Sequence, residues 1–523
     1  MKKNVDKNRI RINQLMWLSI VSIWIFYMWI LSETPYEIDD WSWGISEGWH
    51  ALVTGELNGR YLSNLLEVIV SRSSLMKTLL IGTMATLLPY LATALCLRFS
   101  FSNANEAEEN YSDQSMIALP HFLFASLLFL TLPIPLWRQT YGWIAGFSNF
   151  GFSGIILLVY QGVLLRALWL ARPNSKTVFG GVFLFGAAMQ LVLENVTIYV
   201  LVVSALIVLE ELVRKRRVNI LLTVLLLGNM TGTVLMFSGS IYHTLMESGH
   251  AINGMRAFKL DRSISLWDNL LLSQQRFVYF FPQSIWSNNW VLTASASLLL
   301  AGHCWKKNNP IRIIAAAMLF FFAAIFIFMR CFGPLELFIP GWSDVLTQRL
   351  NLLFFWFVAA LVIVLWRNRK RQMAVLLFLW FSAPGVILPL SVTNMNAEDT
   401  RCFLTSAVFL IEFCLLLSLD GRLIKNEGVR NTAAVFLAIG VLFCCAQKLI
   451  IYHGINTVRL ERAELVQAAQ RGETDRIDFP DFPHWEYLWV TEPIGESQRS
   501  YFRAFYRIPD EVSMHFNTGE ENE

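Results

Sequence analysis

The chain has 523 residues, of which 55% are hydrophobic and 15% charged, with a net charge of +3. That balance lies far from soluble averages and excludes a disordered, collagenous or disulfide-stapled secreted protein. Charged residues gather in short clusters between apolar stretches of about 17 to 20 residues, each able to cross a roughly 30 Å hydrocarbon core as a helix, so the chain reads as an all-α polytopic membrane protein.

The first span is expected at 15–31, behind Lys2, Lys3, Lys7, Arg9 and Arg11, whose charge places the N-terminus in the cytoplasm. No small-residue cleavage site follows it, so it reads as a retained helix. Further spans are expected at 75–97, 116–135, 150–170, 218–237, 289–305, 313–330, 349–366, 373–391, 402–419 and 432–451. Thr177 to Val213 is apolar throughout and about 55 Å long as one helix, too long for a single crossing. Lys176 before it and Arg214 to Arg217 after it belong on one side, so the stretch is expected to fold as two helices with Glu194 and Asn195 at the outer tip. The drawing then holds about thirteen spans, within a range of eleven to thirteen. More than half of the 42 Lys and Arg fall on the cytoplasmic side, and the C-terminus lies outside.

Three polar regions fall on the external face: 32–74, 238–288 and 452–523, the last beyond a membrane module of 1–451. Loops carry function on a rigid bundle, so chemistry is expected on that face. In the first of these loops Asp39 and Asp40 follow directly on the first span. Trp41, Ile45, Trp49, Leu52 and Val53 recur at helical spacing and predict one amphipathic helix in the membrane interface. Asn58 and Gly59 predict a turn, and a second helix over 60–71 is expected to bury Leu62, Leu65, Leu66 and Ile69 while Arg60 and Asn64 point elsewhere. Asp40 also suits the N-cap of the first helix, a role that needs only one aspartate. In the tail a helix from Asn456 to Arg471 is expected to end at Gly472, followed by two aromatic runs that can form short strands.

Glu194 and Glu412 lie in apolar surroundings, where an ionisable group is a functional hypothesis; Glu412, the deeper, is expected to be protonated or paired within the bundle. Glu210 and Glu211 precede Arg214 and Lys215 by four residues and predict helix-surface pairs. Cys331 and Cys402 sit near span boundaries, where they could meet on an oxidising face. The eight histidines form no metal-binding motif. No nucleotide or dinucleotide motif is present either, and nucleic-acid binding has no support. An external site without nucleotide calls for a pre-activated donor.

The acidic pair after the first span, the helix pair in the first loop, the span number and the external tail resemble the GT-C superfamily of glycosyltransferases. Asp39-Asp40-Trp41, Asn58-Gly59-Arg60, the Trp143 to Asn149 segment and the ending Tyr501 to Pro509 are similar to a bacterial family grouped there. The resemblance implies inverting sugar transfer from a polyprenyl-phosphate carrier to a cell-envelope glycan on the outer face of the bacterial cytoplasmic membrane. It also implies two partners, a synthase that loads the carrier and a flippase that turns it outward. An acceptor hydroxyl needs a general base, which Asp39 or Asp40 would supply. The phosphate leaving group needs cations, for which Arg60, Arg401, Arg349 and Arg256 are the candidates. Trp41, Trp43, Tyr61 and Trp143 offer faces for a sugar, as do Phe479, Trp485, Tyr487, Trp489 and Tyr506 in the tail. Asn64, Asn149 and Glu194 complete the expected substrate contacts. No cofactor or resident metal is expected, although some GT-C relatives hold a divalent ion beside the first-loop aspartate. A transporter or flippase of a lipid-linked sugar or small solute, and a surface-polysaccharide polymerase or ligase, are the competing readings. Repeated halves and a second broken helix pair, which a transporter favours, are not seen.

Overall fold

The computed structural model describes residues 2–54, 56, 58–101, 111–169, 175–216, 219–248, 264–305, 309–339, 342–393, 399–420 and 427–516. Helices α1 (Lys2–Glu33), α2 (Ile38–Gly44), α3 (Ser46–Thr54) and α4 (Tyr61–Arg72) comprise the first span and first loop. Next come α5 from Ser74 to Phe101, with a π-helical turn at Lys77–Ile81, and α6 (Tyr111–Leu130). A short α7 (Ile134–Arg138) precedes α8, which runs from Ile144 to Trp169 through a second π-helical turn at Phe147–Gly151. The chain continues through α9 (Lys176–Met189), α10 (Glu194–Lys215), α11 (Ile220–Phe237), α12 (Ser240–Ser248), α13 (Leu266–Pro282), α14 (Trp290–Trp305) and α15 (Pro310–Phe332). It ends with α16 (Asp344–Trp366), α17 (Lys370–Gly385), α18 (Leu404–Leu419), α19 (Glu427–Gln470), α20 (Glu496–Tyr506) and two short strands. Among the described residues ten helical segments are long and apolar enough to cross a membrane, and Ile117–Leu130, Lys176–Met189 and Trp290–Trp305 are shorter apolar helices. The chain is a polytopic helical membrane protein.

The long apolar stretch breaks where expected, between Met189 and Glu194, because Gln190 and Leu191 turn the chain and Glu194 opens the next helix. Helix α18 is the hub: every residue from Leu404 to Leu417 is buried, as suits a helix apolar on all sides. Glu412 on this helix accepts a hydrogen bond from Gln161 Nε2 at 2.7 Å, the pairing expected for a carboxyl inside the bundle. Glu210 and Glu211 pair with Arg214 and Lys215 as the spacing predicts.

Several expectations are corrected. The one helix expected to carry Trp41, Ile45, Trp49, Leu52 and Val53 is two helices, because the backbone is extended at Ile45. Trp41 therefore leaves the face that carries Trp49 and is fully buried against the tail rather than lying in the interface, while Trp49 and Val53 are exposed. The burial of α4 is inverted: Ser63, Asn64, Glu67, Val68, Val70 and Ser71 are buried, whereas Leu65 and Ile69 are exposed and Leu62 and Leu66 half-buried. In a lipid setting a polar stripe turns inward to find partners and the leucines face out. The boundary at 452 falls inside α19, whose 44 residues make a rod of about 66 Å, far longer than a bilayer core. The tail helix is thus the continuation of a span beyond the thickness of a bilayer core, ending where Gly472 takes a φ of +75°. The strands are Arg476–Phe479 and Ser513–Phe516, paired in parallel. The aromatic runs expected to be strands are instead a 3₁₀ turn at Trp485–Tyr487 and helix α20. Cys331 is exposed and Cys402 is buried, and the two are not joined in a disulfide.

The tail closes over the first loop. Trp41 meets Phe502 edge to face at 5.0 Å, Tyr36 meets Phe505 at 5.2 Å, and Phe479 stacks on Phe516 at 4.7 Å. These rings form an apolar cluster with Val466, Ile477 and Val512, separate from the membrane core.

Candidate functional site

The first loop, the 133–149 segment, the 190–194 turn, Arg401 and the tail meet at one end of the bundle. Glu37 is fully buried and organises the meeting. Its Oε2 accepts the backbone N–H groups of both Trp489 and Val490 at 2.8 Å, and its own N–H donates to Asp40 Oδ2 at 2.8 Å. Ile38 N–H donates to the Val490 carbonyl at 3.1 Å. Gly142 lets the tail come close, since a Cβ there would stand 2.2 Å from the Tyr487 carbonyl oxygen.

The two adjacent aspartates have opposite surroundings. Asp40 is fully buried, and its second oxygen accepts Ala145 N–H at 2.9 Å, so it stitches the start of α2 to the start of α8. The N-cap itself is Glu37, and Asp40, three residues on, accepts its N–H while donating its own N–H to the Glu37 carbonyl. Burial pushes the Asp40 carboxyl up to about 7, against the pull of its two N–H donors. Asp39 is exposed, and among the described residues its carboxylate carries no hydrogen bond. Protein nevertheless encloses it closely: lost bulk water raises its pKa, opposed by the charges of Arg401 and then Arg60. Beside it Glu67 is buried, held well above the ordinary carboxylate range by burial and by the charges of Asp39 and Asp40.

The expected site residues separate accordingly. Arg60 Nε donates to both oxygens of Glu194 at 2.9 and 2.7 Å, and Tyr242 OH donates to Glu194 Oε1 at 3.0 Å while accepting Gly59 N–H at 2.9 Å. Gly59 permits this because a Cβ there would meet the Met236 carbonyl oxygen at 2.0 Å. Arg60 and Glu194 therefore neutralise one another beside Asp39. Asn64 is buried and spends its amide on Asn58 Oδ1 at 2.9 Å, which makes it a brace for the turn. Trp41 donates to the Tyr36 carbonyl, and Trp43 is buried with Ala51 and Val68, so both are packing residues rather than sugar platforms. Tyr61 is half-buried. Arg349 is exposed on α16, and the cations that act on Asp39 are Arg401 and Arg60. Arg256 lies outside the described residues.

Arg401 stands at the head of the central helix. Its guanidinium carbon lies 5.4 Å from the Trp143 ring centre and 5.6 Å from that of Trp489, with Asp399 as an ion-pair partner at 3.4 Å. Arg138 approaches the same Trp489 ring at 5.0 Å, and its buried Nε has no hydrogen-bond partner. Asn149 sits in the second π-helical turn, a feature frequent at functional sites. Its Nδ2 donates to Glu67 Oε2 at 3.4 Å and to the Ala145 carbonyl at 2.9 Å. In the tail, Trp489 reaches the site, whereas Phe479 and Tyr506 pack with Phe502, Tyr487 is buried and Trp485 is exposed.

Glu67, Arg138 and Glu37 are absent from the sequence-derived set. A signal for Glu67 was present: Arg60, Asn64, Glu67 and Ser71 recur at helical spacing, a polar stripe that has to face protein in a membrane. Arg138 and Glu37 gain meaning only from the tail folded over them. Among the described residues no group of three His, Cys, Asp or Glu side chains could hold a metal ion. Comparison with protein families, with curated proteins and with solved structures finds no match for this chain.

Proposed function

We propose that this chain is an inverting glycosyltransferase that moves a sugar from a polyprenyl-phosphate carrier to a cell-envelope glycan. The reading places the site at the outer face of a bacterial cytoplasmic membrane, with thirteen crossings in a GT-C-like arrangement. The observation that carries it is Asp39: a carboxylate at the surface of the site, without a hydrogen bond among the described residues, its pKa raised by the protein around it and two arginines acting on it. Asp39 can be reached by an acceptor hydroxyl, whereas Asp40 is fully buried with both oxygens bound to backbone N–H groups and is held away from it.

In the proposed step Asp39 removes the acceptor hydroxyl proton while that oxygen attacks the anomeric carbon. The bond from that carbon to the phosphate oxygen breaks on the opposite side, and its electron pair leaves with the phosphate. Arg401 and Arg138 meet the charge that develops there; the two guanidiniums share one indole, so neither neutralises the other. Among the candidate cations Arg401 suits the phosphate better than Arg60, which Glu194 already holds. Trp143 and Trp489 supply the apolar wall, and the polyprenyl chain would remain in the bilayer. A carrier-loading synthase and a flippase remain the expected partners.

The test uses purified protein in detergent, radiolabelled polyprenyl-phosphate sugars and a cell-envelope acceptor. Transfer by wild type that Asp39→Asn abolishes, with the fold and donor binding retained, supports the reading. Donor carried across proteoliposomes without transfer, unaffected by Asp39→Asn, would replace it with the transporter reading.

A further inference from the structure

Glu67 and Asn149 pose a problem of hydrogen-bond accounting. Glu67 is 2% exposed and Asn149 8%, so neither is open to bulk water. One end of the pair is in order: Asn149 Nδ2 has two hydrogens, one given to the Ala145 carbonyl and one to Glu67 Oε2. The other end is not. Among the described residues Glu67 Oε1 and Asn149 Oδ1 are both buried without a partner. Each is an acceptor when Glu67 is ionised, so neither can then satisfy the other. Buried oxygens left in that condition cost about 1–3 kcal/mol each, and a charged one more.

A single proton resolves both. We infer that Glu67 is a neutral carboxylic acid whose Oε1 proton is donated to Asn149 Oδ1, closing an acid–amide pair and leaving Asp39 as the carboxylate that accepts protons. The charged groups acting on Glu67 agree with this. Asp39 and Asp40 on α2 both oppose its ionisation, and Arg60 ahead of α4 favours it but is already bound to Glu194. Glu67 and Asn149 are then positioning residues, and Asn149 is no longer expected to touch substrate. The catalytic consequence rests on the transferase reading: an ionised Glu67 beside Asp39 would compete with it for the proton of the acceptor hydroxyl.

Infrared spectroscopy of the full-length protein tests the proton without substrate. The expected result is a carbonyl band of a protonated carboxyl that persists from about pH 6 to 9, is missing in Glu67→Gln, and moves to higher frequency in Asn149→Leu because its O–H loses its acceptor. A wild-type minus Glu67→Gln difference lacking that band, or a band that ignores the loss of Asn149, overturns the inference. In the transfer assay, the pH midpoint of Glu67→Gln should coincide with that of wild type, since the amide repeats both bonds of the neutral acid. A midpoint moved to lower pH would mean that an anion had been removed, and would also overturn it. An infrared band as expected in a protein that transfers no sugar would sink the transferase reading alone.

Discussion

The two ends of the bundle treat charge differently: both hold ion pairs, Arg60–Glu194 and Arg401–Asp399 at one and Arg369–Asp420 at the other, but the first also leaves Asp39 without a hydrogen bond among the described residues. Helix α18 runs from Arg401 at one end to Asp420 just beyond the other, and at that far end the polar groups are paired off. Asp420 accepts from Trp366 Nε1 at 2.9 Å and from Arg369, with His303 at 3.7 Å, and the pairs of α10 lie at the same end. At the near end Asp39 has no hydrogen bond among the described residues. Arg138 has an unpartnered nitrogen, and two guanidiniums crowd one indole. Folding alone rewards pairing, so unpaired groups gathered in one place are what the proposed site would require. The far end is what this chain builds when it needs only to hold together.

Replacing Asp39 is the largest break in that contrast. Asp39→Asn is expected to lower transfer about 10²- to 10⁴-fold, the usual contribution of a general base, with an unchanged melting temperature because no hydrogen bond is lost. Its neighbour should behave in reverse. Asp40→Asn turns one acceptor into an amide facing either the Glu37 or the Ala145 N–H, and is expected to cost about 1–3 kcal/mol of stability, read by thermal unfolding in detergent. The sign of the pH effect follows. The folded pKa of Asp40 is raised from 3.8 to about 7, so its contribution is present at low pH and lost as pH rises through about 7. Wild type should therefore melt lower at about pH 8 than at about pH 5, and Asp40→Asn should show less of that decline.

A smaller break concerns the cations. Arg401→Gln is expected to reduce transfer about 10- to 100-fold if it meets the leaving phosphate. It should also move the rising limb of the pH profile to higher pH, since Arg401 is the larger of the two charges holding the Asp39 pKa down. Arg60→Gln should shift the limb less. It should disturb the loop more, because Glu194 loses its ion-pair partner. Equal limbs in wild type and Arg401→Gln would remove Arg401 from the site.

What the sequence disclosed follows the same division. Spans are set by local hydrophobicity, and the break before Glu194 by length and flanking charge, so these were legible. The face of α4 was read with the rule for water-soluble helices, and the structure departs from it: Leu65 and Ile69 are exposed, while Asn64 and Glu67 turn into the protein. The difference between Asp39 and Asp40 could not be read from adjacent identical residues. It depends on Ala145, more than a hundred positions away, and on the tail that Glu37 holds. Trp41 was misplaced for a similar reason. Its indole looks like an interface anchor until Phe502 covers it.

The far end supplies the weakest and most discriminating change. Arg369 is more than half exposed, and its pair with Asp420 is a surface ion pair, worth about 0–1 kcal/mol. Arg369→Gln keeps a donor near Asp420, which retains Trp366 as a second partner. The expected result is a melting temperature and a transfer rate both close to wild type, with the pH limb unmoved, because the length of α18 separates Arg369 from Asp39. Salt should abolish even the small stability difference, as screening does for exposed pairs. A pH limb that moves on Arg369→Gln would mean that charge at the two ends is coupled through the buried helix between them, and the division between a paired scaffold and an unpaired site would fail.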